Sequence, residues 1–277
     1  MRVLVVTAVA AERDAVVRGA AAPDSGPDAG ADAGSGTGTR PAEAASGPVV
    51  EFAVPGYVLH RPAPGPEPLV IDVLAAGVGP AAAAAGTATA LAAAALSGSP
   101  YGLVVSAGIG GGFAVPAGDA GRPGRSAAVG SVVVSDAIVA ADLGAETPAG
   151  FVPVTDLGFG TVEHRPPEAL VRAVAEAAGA QRGEVLTVST VTGTAERAAA
   201  LVAARPGALA EAMEGFGVAE AAAVHGVPVL EIRAVSNPVG PRDRAAWRIG
   251  DALEALAGAS AALREALLAA PSETWSS

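Results

Sequence analysis

Cysteine is absent from the 277 residues, and with it any disulfide framework, thiolate nucleophile or cysteine-ligated zinc. Lysine is absent too. All 17 basic residues are arginine, a bias that accompanies heavy use of Ala, Gly and Pro and carries no functional weight. Histidine occurs three times, at His60, His164 and His225, too far apart for an HxxxH or HExxH pair, so no histidine metal site is expected. Aromatic residues make up only 3%, which leaves Ala, Val and Leu to build a core. Positive charge is scarce: the net charge is −11 and no arginine stripe runs along the chain, which excludes nucleic acid as a main partner. No run reaches the roughly 18 apolar residues of a membrane span without a helix-breaking or polar residue. Arg2 and the apolar residues 3–11 imitate a short signal peptide, but the charged triplet Glu12-Arg13-Asp14 follows at once. The run has the length and valine content of a buried strand, and a cytosolic protein with no membrane partner is expected.

Hydrophobic residues, at 51%, are ample for one large domain, read as residues 1–270 with a tail at 271–277. Strands are predicted at 3–7, 49–54, 69–74, 103–106, 131–139, 184–191, 209–213 and 227–235. Helices are predicted at 10–19, 79–96, 167–178, 195–204, 216–225 and 243–268. Their alternation points to an α/β protein with an open, mostly parallel or mixed sheet and helices on both faces. Residues 20–48 are Ala, Gly, Ser, Asp and Pro without periodicity, and are predicted to be a disordered insertion; 117–127 is predicted to be a second, flexible one.

Ligands gather at the carboxyl ends of strands in such sheets. Five segments end there: 7–12, 76–80, 107–113, 211–215 and 233–237. Gly77-Val78-Gly79-Pro80-Ala81-Ala82 matches G-x-G-x-x-A, yet no acidic residue lies between Asp72 and Asp119 to hold a ribose. A structural turn explains that segment better than a dinucleotide site. Gly108-Ile109-Gly110-Gly111-Gly112 directly follows a buried strand. It reads equally as a backbone surface for a flat ligand or as a mobile loop. Neither glycine segment contains an arginine to hold phosphate. Glu12, taken alone, is an ordinary acid in a helix first turn. Glu214 follows an apolar strand and precedes Gly215; it could accept from a ribose diol or pair with Arg233. Asn237 is the only asparagine in the chain and precedes Pro238, where a turn would be the ordinary explanation.

Taken together, these segments resemble the nucleoside phosphorylase and nucleosidase superfamily, specifically its methylthioadenosine/S-adenosylhomocysteine nucleosidase branch. The resemblance covers nearly the whole chain outside the two insertions and implies a single-domain, three-layer phosphorylase/hydrolase-like fold. Glu12 falls where that branch keeps its water-activating acid, and 108–113 resembles its glycine-rich purine segment. Met213-Glu214 resembles its Met-Glu pair, whose Glu grips the ribose hydroxyls. Arg233-Ala234-Val235-Ser236-Asn237 resembles its Arg-Ala-(Ile/Val)-Ser-Asp motif with Asn in place of Asp. An adenine base needs a partner that donates to N7 and accepts from the 6-amino group. A 6-oxopurine offers acceptors at both N7 and O6, which an amide NH2 can serve. Asn237 therefore implies hypoxanthine or guanine. Residues 189–194, 211–217 and 236–243 resemble the superfamily's hypoxanthine-nucleoside hydrolases.

The resemblance implies catalytic roles for Glu12, as general base on water, and Asn237, at the departing base. It implies substrate binding by Glu214, Met213, Arg233, Ser236, Ile109, Gly110, Gly111, Thr190, Val191 and Gly79, with Arg233 orienting Glu214 or Glu12. Metal and organic cofactors are not needed, and the partner is a small purine nucleoside. Relatives are usually dimers, which implies a homodimer or higher homo-oligomer. Arg242, Arg244 and Arg248, beside Trp247, could meet an anion on the 5′ side of the sugar, although a solvated helix face is the commoner reading. The competing expectations are an adenine nucleosidase, a phosphate-dependent phosphorylase, and a non-catalytic binder of purine nucleosides.

Overall fold

The computed structural model describes residues 1–21, 48–63, 69–115 and 125–269. Residues 22–47 of the predicted insertion at 20–48, most of that at 117–127 and the tail at 271–277 lie outside the described residues, and Ala20 belongs to the first helix. In chain order the elements begin with β1 (Arg2–Thr7), α1 (Ala10–Ala20), β2 (Val49–Val54), β3 (Tyr57–Pro62), β4 (Val70–Ala75), α2 (Pro80–Leu96) and β5 (Leu103–Gly112). A short ribbon, β6 (Ala114–Val115) with β7 (Arg125–Ser126), precedes β8 (Val132–Ala140). Next come the hairpin β9 (Gly144–Thr147) and β10 (Gly150–Pro153), then β11 (Glu163–His164) and α3 (Glu168–Ala178). The chain continues through β12 (Gln181–Thr187), α4 (Ala195–Ala204), β13 (Ala208–Ala212) and α5 (Gly215–Val224). It closes with β14 (Val229–Pro238) and α6 (Ile249–Ala269).

The sheet is mixed, as expected. β1 lies parallel between β4 and β5, and β3 and β2 extend that edge antiparallel. At the other side β5 pairs with β14, β14 with β8, β8 with β12, β12 with β13, and β13 returns to β5. Five strands thus close into a ring, which the alternation of elements did not foretell. In β1, Val3 and Val5 face a core completed by α1, α3 and α6, while Leu4 and Val6 face another completed by α2 and α5. That double burial makes the three layers and accounts for near-continuous apolar strands.

Three element predictions need correction. The glycine segment 108–112 is no loop: β5 runs on through it, because β14 and β13 supply hydrogen-bonding edges on both sides. The strand expected at 184–191 ends at Thr187, and residues 188–194 form a loop. The helix expected over 243–268 is split into a 3-10 turn at Arg244–Ala246 and α6. β3 and the hairpin β9–β10 had no counterpart in the sequence reading.

Candidate active site

A cavity of about 570 Å³ opens where β5, β13 and β14 end. Glu12, Ile109, Gly110, Gly111, Val191, Met213, Glu214, Ser236 and Asn237 all line it. Three expected residues do not. Thr190 is exposed on the loop after β12, and Thr192 reaches the cavity in its place. Gly79 and Arg233 lie behind the wall and act on a carboxylate that forms it. A second cleft, of about 510 Å³, sits near His164, Glu168 and Val229, at the opposite end of β14.

Glu12 occupies the third position of α1, so the ordinary explanation also holds: its Oε2 accepts from the backbone N–H of Ala8 (3.0 Å) and Val9 (3.2 Å), which start the helix. Its Oε1 accepts from the N–H of Ile109 at 2.9 Å. A carboxylate has about four lone-pair directions, so one remains for a water in the cavity. Burial pushes the Glu12 carboxyl above its usual range, although Arg233 and the backbone donors oppose this. Such a group is a stronger base than a solvated carboxylate. Gly108 permits the arrangement: a Cβ there would sit 2.6 Å from Arg233 Nη1 and 2.7 Å from Glu12 Oε1.

Glu214 caps α5 directly after β13. Its Oε1 accepts from the N–H of Gly79 at 3.1 Å, and its Oε2 lies 3.2 Å from Arg233 Nη1. The two-residue period of β14 puts Arg233 and Glu231 on one face, while Leu230, Ile232 and Ala234 join the core on the other. Arg233, 1% exposed, donates from Nε to Glu231 Oε1 at 2.9 Å and from Nη2 to Ser106 Oγ at 2.9 Å. One guanidinium therefore pairs with two buried carboxylates, Glu214 and Glu231, and acts on a third, Glu12, through its charge. Glu231 is fully buried, and burial raises its pKa to about 7 even against the opposing charge of Arg233.

Asn237 lies inside β14, after a bulge that lets Val235 pair with Gly110 and Asn237 with Gly111, leaving Ser236 extra. The Ser236 hydroxyl is 2.8 Å from Asn237 Oδ1, and Asn237 Nδ2 donates to the carbonyl of Pro238 at 2.9 Å. The amide oxygen is thus engaged, and one N–H is left to donate to a ligand.

Sequence reasoning missed Glu231, Glu211 and Thr192. Both glutamates interrupt otherwise apolar strands, Val229-Leu230-Glu231-Ile232 and Leu209-Ala210-Glu211-Ala212. A charge in such a strand is rarely buried without a partner, and that was the available signal. Arg242 and Arg244 line the cavity, with their guanidinium carbons 5.5 and 5.6 Å from the Trp247 ring; Arg248 instead pairs with Asp251. Among the described residues, no group of three or more His, Cys, Asp or Glu side chains could hold a metal ion, and no helix is long and apolar enough to cross a membrane.

A family model described as the phosphorylase superfamily matches residues 69–270. The 5′-methylthioadenosine/S-adenosylhomocysteine nucleosidase from Neisseria meningitidis, solved with methylthio-immucillin-A, superposes with a TM-score of 0.68 at 17% identity, covering 97% of this chain and 99% of that one. The chain belongs to the phosphorylase superfamily and has its fold. The futalosine hydrolase of Streptomyces coelicolor is 60% identical over 275 residues, 99% of this chain and 98% of that protein. The native structure of futalosine hydrolase from Helicobacter pylori strain 26695 superposes with a TM-score of 0.64 at 17% identity, covering 96% of each chain. Within the superfamily, this chain is a member of the futalosine hydrolase family.

Proposed function

We propose that this enzyme hydrolyses the N-glycosidic bond of futalosine, releasing hypoxanthine and dehypoxanthine futalosine, a reaction of the futalosine route to menaquinone. The carrying observation is the orientation of Asn237: Ser236 engages its amide oxygen, so the group turned to the ligand is an N–H donor. A 6-oxopurine meets that donor with N7 or O6, whereas the 6-amino group of adenine would bring a second donor against it. The identity to the Streptomyces coelicolor protein supports the same reading.

Glu12 removes a proton from a water beneath the sugar while the bond to the base lengthens. Glu214 accepts from the ribose hydroxyls and places negative charge near the developing oxocarbenium ion. Asn237 hydrogen-bonds the departing hypoxanthine, which takes its proton from solvent. Glu12 would repel a phosphate dianion at the point of attack, and the glycine segments offer no arginine to hold one. Water is therefore the nucleophile. The test is release of hypoxanthine from futalosine with and without phosphate, beside methylthioadenosine. Release from futalosine alone, indifferent to phosphate, supports the reading; turnover of methylthioadenosine instead overturns it.

Two expectations follow at the ends of the ligand. Asn237→Asp restores a group that can accept from a 6-amino substituent. The ratio of kcat/KM for the 6-amino over the 6-oxo nucleoside should rise by about tenfold or more, the worth of one hydrogen bond left unmade. Futalosine carries a benzoate on the 5′ side, and Arg242 and Arg244 flank Trp247 on the cavity wall. Replacing both by Ala should raise KM for futalosine by about tenfold with little change in kcat, since a charged contact present equally in ground and transition states is lost. A cytosolic homodimer of one 1–270 nucleosidase domain fits this reading, and light scattering on the purified protein checks the oligomeric state.

A further inference from the structure

We infer that Glu211 is a specificity-determining residue that reads N1 of the purine. The inference rests on the proposed function and goes beyond it by naming what senses the far edge of the base. Gly111 on β5 is the register partner of Glu211 on β13 and of Asn237 on β14. Residues level across adjacent strands point to the same face of a sheet, and all three line the cavity. Glu211 and Asn237 thus flank Gly111 from its two sides, at either edge of a trough. Its floor, Gly110 and Gly111, has no side chains. A flat base laid on that floor meets Glu211 at one side and Asn237 at the other.

Glu211 is 3% exposed and meets no arginine within ion-pair distance among the described residues. Its Oε1 accepts from the N–H of Thr192 at 2.9 Å and its Oε2 from the Thr192 hydroxyl at 2.5 Å. Thr192 thus fixes the carboxylate and uses about half of its lone-pair directions, leaving the others to a ligand. Burial raises the Glu211 carboxyl above its ordinary range while the two Thr192 donors oppose this and favour the carboxylate, which only accepts. Hypoxanthine carries a hydrogen on N1, which Glu211 receives; adenine presents a bare nitrogen lone pair at N1, which Glu211 repels. Asn237 donates at the N7/O6 edge and Glu211 accepts at N1, so the two strands flanking Gly111 select the same base by opposite hydrogen-bond polarity. Burial of Glu211 makes the selection sharper, because an unmade hydrogen bond there is not replaced by water.

The test uses equilibrium binding of free hypoxanthine, adenine and 1-methylhypoxanthine to the wild type and to Glu211→Gln, apart from any turnover. The wild type should bind hypoxanthine at least tenfold more tightly than adenine or 1-methylhypoxanthine. Glu211→Gln keeps an oxygen to accept from Thr192 but turns a donor to N1, and should narrow the hypoxanthine-to-adenine ratio tenfold or more. If the variant fails to fold, the wild-type comparison with 1-methylhypoxanthine still decides. Equal binding of hypoxanthine and 1-methylhypoxanthine, or an equal loss of both bases in the variant, overturns the inference and makes Glu211 an anchor for the Thr192 loop. Preference for hypoxanthine without release of it from futalosine would sink the proposed reaction and leave the base-reading role standing.

Discussion

Glu12→Gln is expected to lower kcat on futalosine by about 10²–10⁴-fold, the usual worth of a positioned general base, with KM changed far less. The amide oxygen can still accept the N–H groups of Ala8 and Val9 that Oε2 holds, so the start of α1 should survive, while the NH2 that replaces Oε1 gives up the bond from Ile109. What disappears is the capacity to take a proton from water. The working form is the carboxylate, so wild-type kcat/KM falls as pH drops through the Glu12 pKa. Burial raises that pKa, and the acidic limb should therefore lie above the 4.5 of a free glutamate. A pH–rate profile of wild type beside the variant checks this. A variant that keeps the limb and most of its kcat would remove Glu12 from the mechanism.

Arg233→Met should be the most destabilising single change in the site, by about 3–5 kcal/mol at neutral pH. It leaves Glu12, Glu214 and Glu231 buried around a position that no longer carries positive charge. The sign of the pH dependence follows from proton binding. A carboxyl whose folded pKa is raised holds more protons in the folded than in the unfolded chain, so stability falls as pH rises through the interval between the two values. For Glu231 in the wild type that interval runs from 4.5 to about 7. Without Arg233, which opposes the raised values of Glu12 and Glu231, the interval extends upward. Urea midpoints at pH 5.5 and pH 8 should show a larger loss at the higher pH. An equal loss at both would mean that Arg233 stabilises by packing rather than charge.

Much of this site could be read from the chain because chemistry and position coincide in short stretches. Glu12 three residues into a helix, Met213-Glu214 at a strand end and a lone Asn237 after an apolar strand each stand out locally. Glu211 and Glu231 did not stand out, because their meaning depends on burial and on contacts that local pattern does not mark: Thr192, 19 residues before Glu211, and for Glu231 the ion pair with Arg233 inside β14 and the close approach of Gly215 on α5. The Thr190 expectation was displaced by two residues for a related reason: β12 ends at Thr187, where its pairing with β8 and β13 stops, and the loop that follows turns Thr192 inward.

By itself, the amino-acid sequence determined the α/β class, the alternation of apolar strands with helices, the absence of cysteine chemistry and most of the residue types that line the cavity. Those properties are written in composition and in periods of two and 3.6 residues, which act over a few neighbours. Tertiary structure alone decided that the glycines of 108–112 form strand rather than loop, that five strands close into a ring, and that one arginine lies among three buried carboxylates. Each depends on which distant strand supplies the next hydrogen-bonding edge and on how far burial removes a charge from water, and neither is a property of adjacent residues.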